Sequence, residues 1–367
     1  MKWKTKILLL ALLVLSGSNI YAFQRGEVRD ISGKRLQVSN NLLSVTVLPE
    51  YSGRIASLRL ANGIELLASP QISETVETPL FSYKSDNGYG LVERFWKVKS
   101  RGDVPGHGYI DGNKLYFTLN RCGGTELELE RVIVLPANSL EIVVNVSYSN
   151  PGGKNLSLRP WLNIIGAIPS RALIPVQGTA ERQGFPALRK SVVPYLFSDG
   201  GGNNFLPPGD SWIGIEAMDK MTVWAFCLPE EGLGNSGIFY SFGNRNNGMQ
   251  TSEVILPEMV VPAGKKSGFS YRILVFPGIK QLNAVLGSTG IAFTPGKLTA
   301  VAAKEEKARS FTLVYRPAGE NSDRSFRIDL PEMKSGEMQE VILPFSSVPE
   351  EAFLQSDSVS VRLFFRR

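Results

Sequence analysis

Histidine and cysteine are scarce in this 367-residue sequence, which contains one histidine and two cysteines. A zinc site built on several histidines is therefore excluded, and the acidic residues show no recognisable ligand spacing, so we expect no metal and no other cofactor. Two cysteines, Cys122 and Cys227, do not define a disulfide scaffold in a chain of this length. They could pair in an oxidising compartment or remain buried free thiols, and the sequence leaves both alternatives open.

Long apolar runs are absent except near the amino terminus. Lys2, Lys4 and Lys6 precede an apolar core at positions 7–15, and Ala22 ends an acceptable signal-peptidase site. This run is well below the ~20 residues needed to span a bilayer. The pattern predicts a signal peptide over residues 1–22, an exported (periplasmic or extracellular) protein, and no membrane span after cleavage. A retained membrane anchor is the alternative.

A strong excess of charge of one sign is also missing. Forty Lys and Arg residues against 34 Asp and Glu residues give a net charge of +6, and three of the lysines lie in the predicted signal peptide, which leaves +3. A charge this small and this evenly scattered does not indicate a nucleic-acid partner. The oligomeric state is left open.

Sustained helical periodicity is lacking after residue 23, whereas two-residue alternation recurs. Residues 43–47 alternate apolar and polar side chains, and Asn62-Gly63 is a strong hairpin signal that leads into a further short strand at 64–67. Between 126 and 135, glutamates alternate with apolar residues, which predicts one solvated face and one buried face. The sequence therefore predicts an all-β, mostly antiparallel protein.

Three segments together resemble one known family. They are residues 48–67 (LPEYSGRIASLRLANGIELL), residues 144–162 with Arg-Pro-Trp near their end, and residues 222–278, which contain a Pro-Glu-Glu-Gly loop and a late Phe-Pro-Gly. They resemble the opening strands, the central motif and the closing strands of galactose mutarotase-like (aldose 1-epimerase-like) domains. The resemblance implies an antiparallel β-supersandwich over residues 23–292 that binds a sugar on its concave face.

The central motif departs from the family pattern at the residue that carries the chemistry. The family's His-Pro-Tyr-Phe-type motif uses its histidine to protonate the sugar ring oxygen, and the matching residue here is Arg159. Arginine cannot cycle a proton near neutral pH because its pKa exceeds ~12. Glu230 and Glu231 lie near the position of the family's base. The single histidine, His107, is an alternative proton-transfer group, and its Pro and Gly neighbours predict a loop.

The candidate binding residues combine cations with aromatic rings. Arginine donates paired hydrogen bonds to hydroxyls or a carboxylate, and aromatic rings stack on the apolar face of a sugar. The same residue types around positions 91–96 are equally typical of a core strand with a surface Glu–Arg pair. The predicted substrate-binding residues are Arg54, Arg94, Trp96, Arg159 and Trp161.

Strand-like segments separated by turns continue to the carboxyl terminus. Residues 297–367 are about 70 in number, enough for a small Ig-like β-sandwich module. The predicted architecture is therefore a galactose mutarotase-like β-supersandwich followed by a small C-terminal β-sandwich.

The predicted function is that of an exported carbohydrate-binding protein without efficient epimerase activity. One alternative is an active, epimerase-like enzyme on a sugar or uronic acid that uses Glu230, Glu231 or His107. Another is a structural envelope module without a ligand. Convergence of the arginines and aromatic residues in one place would favour the first two over the third.

Overall fold

The structure is a computed structural model, and it describes residues 24–25, 34–68, 74–77, 82–85, 90–98, 104–167, 169–182, 185–190, 194–198, 202–234, 236–244, 249–356 and 358–366. The strands up to residue 165 are β1 (Gln24–Arg25), β2 (Leu36–Ser39), β3 (Leu43–Leu48), β4 (Arg54–Leu60), β5 (Glu74–Glu77), β6 (Ser82–Ser85), β7 (Gly90–Phe95), β8 (His107–Asp111), β9 (Lys114–Leu119), β10 (Glu128–Val134), β11 (Glu141–Ser149), β12 (Leu156–Leu158) and β13 (Pro160–Ile165).

The chain continues almost entirely as strands. Up to residue 277 these are β14 (Ser170–Val176), β15 (Thr179–Arg182), β16 (Phe185–Lys190), β17 (Tyr195–Phe197), β18 (Gly202–Leu206), β19 (Trp212–Ala217), β20 (Thr222–Cys227), β21 (Ile238–Asn244), β22 (Met249–Gln250), β23 (Glu253–Ile255), β24 (Met259–Val261) and β25 (Lys266–Pro277). The last strands are β26 (Ala284–Leu286), β27 (Thr289–Thr294), β28 (Lys297–Ala302), β29 (Arg309–Arg316), β30 (Arg324–Leu330), β31 (Met338–Ile342), β32 (Glu351–Gln355) and β33 (Ser360–Arg362).

Within the described ranges, two large antiparallel sheets dominate the first 277 residues. The front sheet has eleven strands in the order β16-β15-β18-β21-β23-β13-β7-β4-β3-β2, with β22 paired to β21. The back sheet has nine, in the order β17-β14-β19-β20-β25-β11-β10-β9-β8. Apolar side chains of both sheets form one buried core, among them Leu91, Phe117, Val144 and Leu162. The predicted all-β, antiparallel fold is confirmed.

Strand β10 shows how the sequence pattern produces this packing. Leu127 and Leu129 are buried, whereas Glu126, Glu128 and Glu130 are exposed. Successive side chains of a strand point to opposite faces, so the alternation turns the leucines toward the core and the carboxylates to solvent. The predicted solvated face is confirmed.

The short strand predicted at 64–67 is wrong, because these residues form only single β-bridges, Arg59 to Glu65 and Leu67 to Gly166. The Glu65 carboxylate accepts hydrogen bonds from the backbone N–H groups of Leu58, Leu66 and Leu67, at 2.9, 3.1 and 3.1 Å. The side chain thus takes backbone donors that a continuous strand would use.

A second core lies in the carboxyl-terminal part. It is formed by two four-stranded sheets, β26-β27-β28-β31 and β30-β29-β32-β33, within the described residues. Buried residues from Ala284 to Phe365 fill this core. Strand β26 and the first residues of β27, which the sequence analysis assigned to the first unit (residues 23–292), belong here because β27 pairs along its length with β28. The boundary therefore moves to about residue 284, while the division into two domains stays a proposal.

Cys122 and Cys227 are both buried and both free. Burial raises the pKa of each thiol to about 12. The pairing alternative is not realised, and the two thiols behave as small apolar side chains.

The structure describes one α-helix, α1 (Glu230–Leu233), and no helix in the described residues is long and apolar enough to cross a membrane. The predicted signal peptide, residues 1–22, lies outside the described residues.

Candidate functional site

Most of the candidate residues lie on the side of the front sheet that is turned away from the back sheet. In β7 and β13, the residues Leu91, Phe95, Leu162 and Ile164 are buried in the core between the two sheets. Their neighbours along each strand therefore project to the opposite side. Directly paired residues of antiparallel strands share a face, so the registers of β13, β7, β23 and β21 extend this surface across four strands. We call it the outer face; its residues are Arg54, Arg94, Trp96, Trp161, Asn163, Tyr240, Glu253 and Ile255.

Three aromatic residues form the apolar part of the outer face. Trp96, Trp161 and Tyr240 cluster with Ile255, separately from the main core. The Trp96 ring centroid lies 5.4 Å from that of Trp161 at an interplanar angle of 85°, and 6.1 Å from that of Tyr240. The first of these is an edge-to-face contact of the kind that aromatic quadrupoles favour, and the second is tilted, with an interplanar angle of 51°. The rings pack against one another, and Trp161 is only 3 % exposed.

Glu253 is the acidic group of the outer face. It lies opposite Tyr240 in the register of β23 and β21 and is 2 % exposed. The indole Nε1 of Trp161 donates to its Oε2 at 2.5 Å, and the side chains of Thr251 and Asn163 also hydrogen-bond to it. Burial raises the pKa of Glu253 to about 7, although these hydrogen bonds and the charge of Arg94 act in the opposite direction. A carboxyl with this pKa can hold or release a proton near neutral pH.

Two arginines bring positive charge to the same face. Ile55 of β4 pairs with Leu91 of β7, and both are core residues. The preceding residue Arg54 therefore points to the outer face, as Arg94 does. Arg54 is fully buried and Arg94 is 6 % exposed. Two buried guanidiniums on one sheet surface are unusual, because arginine is mostly exposed in folded proteins.

Arg159 reaches backbone oxygens. Its Nε donates to the carbonyl of Leu256 at 3.0 Å, and its Nη2 donates to the carbonyl of Ser236 at 2.6 Å. The backbone carbonyl of Arg159 also accepts from the N–H of Trp96 at 2.8 Å. These bonds connect the start of β13 to neighbouring segments. The Arg159 guanidinium would have to give up bonds to the Leu256 and Ser236 carbonyls in order to bind a ligand with the same N–H groups.

The other proton-transfer candidates do not join this group. His107 is exposed and begins β8, the edge strand of the back sheet, where it pairs with Thr118. The predicted loop at His107 is therefore wrong, because its Pro and Gly neighbours precede a regular edge strand. Glu230 and Glu231 form the first turn of α1, and their side chains lie outside the description.

Four residues of this region were not predicted from the sequence: Asn163, Asn203, Tyr240 and Glu253. The Tyr240 hydroxyl donates to the Oδ1 of Asn203, which joins β21 to β18. A sequence signal does exist for Glu253 and Asn163. Asn163 stands between apolar residues in an otherwise hydrophobic strand, and Glu253 directly precedes the apolar run Val254-Ile255-Leu256, so each is a polar residue next to a buried segment.

The described residues contain no group of three or more His, Cys, Asp or Glu side chains that could hold a metal ion. The outer face instead combines hydrogen-bond donors, one titratable carboxyl and aromatic edges. Such a combination can bind a polar, hydroxylated molecule and can exchange one proton with it.

No protein-family model matches the sequence, and no curated protein sequence matches it significantly. A TPR-domain containing protein from Parabacteroides distasonis is similar in fold, with a TM-score of 0.51 and 14% identity over 66% of this chain. The chain spans about half, 46%, of that protein's length.

The chain is also similar in fold to galactose mutarotase-like proteins. A galactose mutarotase-like protein from Lactobacillus casei matches 66% of this chain with 100% of its own, at 8% identity and a TM-score of 0.47. A galactose mutarotase related enzyme from Lactobacillus acidophilus matches 68% of this chain with 99% of its own, at 8% identity and a TM-score of 0.48. Similarity at this level concerns the fold and carries nothing about activity.

Proposed function

We propose that the protein is an exported carbohydrate-binding protein whose sugar site is the outer face of the front sheet. The observation that carries the proposal is the convergence of Arg54, Arg94, Trp96 and Trp161 with Glu253 on one surface. Arg54, Arg94, Trp96 and Trp161 were predicted as binding residues from the sequence. Arg54 and Glu253, the two ends of the set, are 199 positions apart in the chain. Export is proposed from the lysine-rich, apolar amino terminus alone.

The chemistry of the outer face suits a sugar. Guanidinium, amide and carboxyl groups can each pair with hydroxyls, and aromatic rings pack against the apolar side of a pyranose. Arginine is mostly exposed in folded proteins, whereas Arg54 and Arg94 are both buried on this surface. Two such cations beside a titratable carboxyl are polar groups that a hydroxylated ligand can engage.

The binding proposal is tested first with a glycan array on residues 23–367. Any glycan retained on the array is then titrated by calorimetry with the wild type and with Arg94→Ala. We expect the substitution to weaken binding by roughly 1–3 kcal/mol, about 5- to 150-fold, as for a buried binding arginine. Arg327→Ala is the matched control, because Arg327 is 74% exposed on the carboxyl-terminal sheets. Equal affinities of the two variants, or an array with no retained glycan, would contradict the proposal.

A second function, proton transfer on a bound sugar, is favoured by one observation, the pKa of about 7 at the buried Glu253. Ring opening needs an acid as well as a base. Arg159 cannot act as the acid near neutral pH, and His107 lies at the edge of the other sheet. We therefore expect Glu253 to contribute to binding more than to turnover.

Polarimetry of freshly dissolved glucose and galactose separates the two functions. We expect mutarotation in the presence of the protein to proceed at the buffer rate. A clear acceleration that Glu253→Gln abolishes would replace the binding function with the catalytic one.

A further inference from the structure

One charged side chain crosses the core between the two sheets. Arg131 projects from β10 of the back sheet and is fully buried. Its guanidinium donates to the Glu93 carboxylate in β7 of the front sheet and to the backbone carbonyl of Gly53 in the turn before β4. Glu93 also accepts from the hydroxyl of Tyr271 at 2.9 Å, and the guanidinium lies 5.1 Å from the Phe117 ring centroid.

The two groups held by Arg131 each directly precede an outer-face arginine. Gly53 precedes Arg54 and Glu93 precedes Arg94. Gly53 lies in the turn directly before β4, with a φ of +64°, and Glu93 lies in β7, so one guanidinium reaches a strand and the turn that leads into the neighbouring strand. Consecutive side chains of a strand point to opposite faces. A contact that fixes Glu93 on the core side therefore fixes where Arg94 emerges on the other side, and a contact that fixes the Gly53 carbonyl fixes the start of β4, from which Arg54 projects.

Gly53 is shaped for this contact. Its φ of +64° favours glycine, and a Cβ there would lie 2.3 Å from Cε1 of Phe117 and 2.5 Å from Nη2 of Arg131. Only glycine lets the backbone approach the guanidinium this closely. The turn residue and the charged side chain thus form one fitted contact.

Stability alone does not explain a buried ion pair in this core. Replacing such a pair with apolar residues of similar volume is often neutral or stabilising, whereas removing one partner costs several kcal/mol. The Arg131–Glu93 pair joins the two sheets on the core side of Arg54 and Arg94. Such a pair can fix the register of the front-sheet strands, because a one-residue slip in register would move every side chain of a strand to the other face.

We propose that Arg131 is a positioning residue for the outer face, which acts by clamping Gly53 and Glu93 and so fixing the strand positions from which Arg54 and Arg94 project. The inference rests on the proposed function only in giving the outer face a role in sugar binding. The positioning of Arg54 and Arg94 by Arg131 is a property of the ligand-free protein.

The test uses Glu253 as an internal reporter of where Arg94 lies. Arg94 of β7 is separated from Glu253 of β23 by strand β13, and its charge lowers the pKa of that carboxyl, whose hydrogen-bond partners Trp161, Asn163 and Thr251 are uncharged. The indole N–H of Trp161 donates to the same carboxyl, so its 1H–15N resonance follows the titration. Trp161→Phe assigns the resonance, and Glu253→Gln must abolish its pH-dependent shift.

The double variant Glu93→Gln/Arg131→Met removes the clamp while leaving no buried charge unpaired. We expect a folded protein in which the midpoint of the Trp161 titration moves upward, since a nearby opposite charge lowers a carboxyl pKa and its displacement raises that pKa again. Arg94→Met sets the largest shift that displacement of Arg94 can produce. If the double variant does not fold, Arg131→Lys, which keeps the charge and loses the two-pronged contact, must give an upward shift in the same direction.

A control removes an ion pair elsewhere, between a buried glutamate and an arginine whose side chain is 29% exposed. Arg171 and Glu216 form an ion pair in the back sheet, and Arg171→Met/Glu216→Gln should leave the midpoint unchanged. An unchanged midpoint in a folded clamp variant, or an equal shift in the control, would overturn the inference. Because no sugar is used, a protein that binds no glycan would contradict the proposed function without affecting this result.

Discussion

Phe364→Ala is expected to lower the free energy of unfolding by about 3–5 kcal/mol, the range for removing a large buried aromatic side chain. Phe364 is 1 % exposed and packs in the main core, with its ring centroid 6.5 Å from that of Trp212. Its neighbours Leu363 and Phe365 are buried in the carboxyl-terminal core. Of these three consecutive residues, Phe364 belongs to the main core, and Leu363 and Phe365 belong to the carboxyl-terminal core. The Phe364→Ala substitution would leave a cavity in the main core, next to the carboxyl-terminal core.

The backbone around Phe364 strengthens this expectation. Asn283 accepts from the Phe364 N–H at 2.8 Å and donates its side-chain amide to the Phe364 carbonyl at 2.7 Å. The Leu196 N–H donates to the carbonyl of Phe365 at 2.8 Å. These bonds hold the tail in place, so the surroundings can collapse only partly around a smaller side chain.

Chemical denaturation with a core-sensitive probe measures the effect. Ile342→Ala is the control, because Ile342 is 72 % exposed and its loss should change stability by no more than about 0.5 kcal/mol. A loss below about 1 kcal/mol for Phe364→Ala would mean that the tail does not contribute to the main core.

The sequence was sufficient to predict what depends on local alternation. The strands at 43–48 and 128–134 follow from a period of two residues, which any strand imposes. The resemblance to galactose mutarotase-like domains was the reason for predicting Trp161 as a binding residue. The predicted fold class followed from these local patterns and the lack of helical periodicity.

What depends on distant strands could not be predicted. Glu253 meets Trp161 only because β23 pairs with β13, 92 residues earlier in the chain. Its burial and raised pKa are products of that pairing. The change of boundary has the same origin, because β26 and β27 join the second core through pairing with β28 that no local pattern specifies.

Glu253→Gln is expected to make the protein more stable at pH 8 by roughly 2–4 kcal/mol, at about 1.4 kcal/mol per pKa unit. The pKa of Glu253 is raised from its ordinary 4.5 to about 7 by burial. The folded state thus binds the proton more tightly than the unfolded state. Below about pH 4.5 both states are protonated and the carboxyl costs nothing; stability then falls as the pH rises to about 7, and the full cost is present above it. Glutamine is isosteric, stays neutral and can still accept from the Trp161 indole.

The decisive measurement is the difference in unfolding free energy between the wild type and Glu253→Gln at pH 5 and at pH 8, since the subtraction cancels the other titrating groups. Glu128→Gln, at an exposed position of β10, should show almost no difference at either pH. A wild type that is as stable as Glu253→Gln at pH 8 would show that burial does not penalise the charged carboxyl. A clear gain in the variant would mean that the chain retains a carboxylate at the cost of stability. Such a cost is expected where a side chain serves a ligand and not the fold.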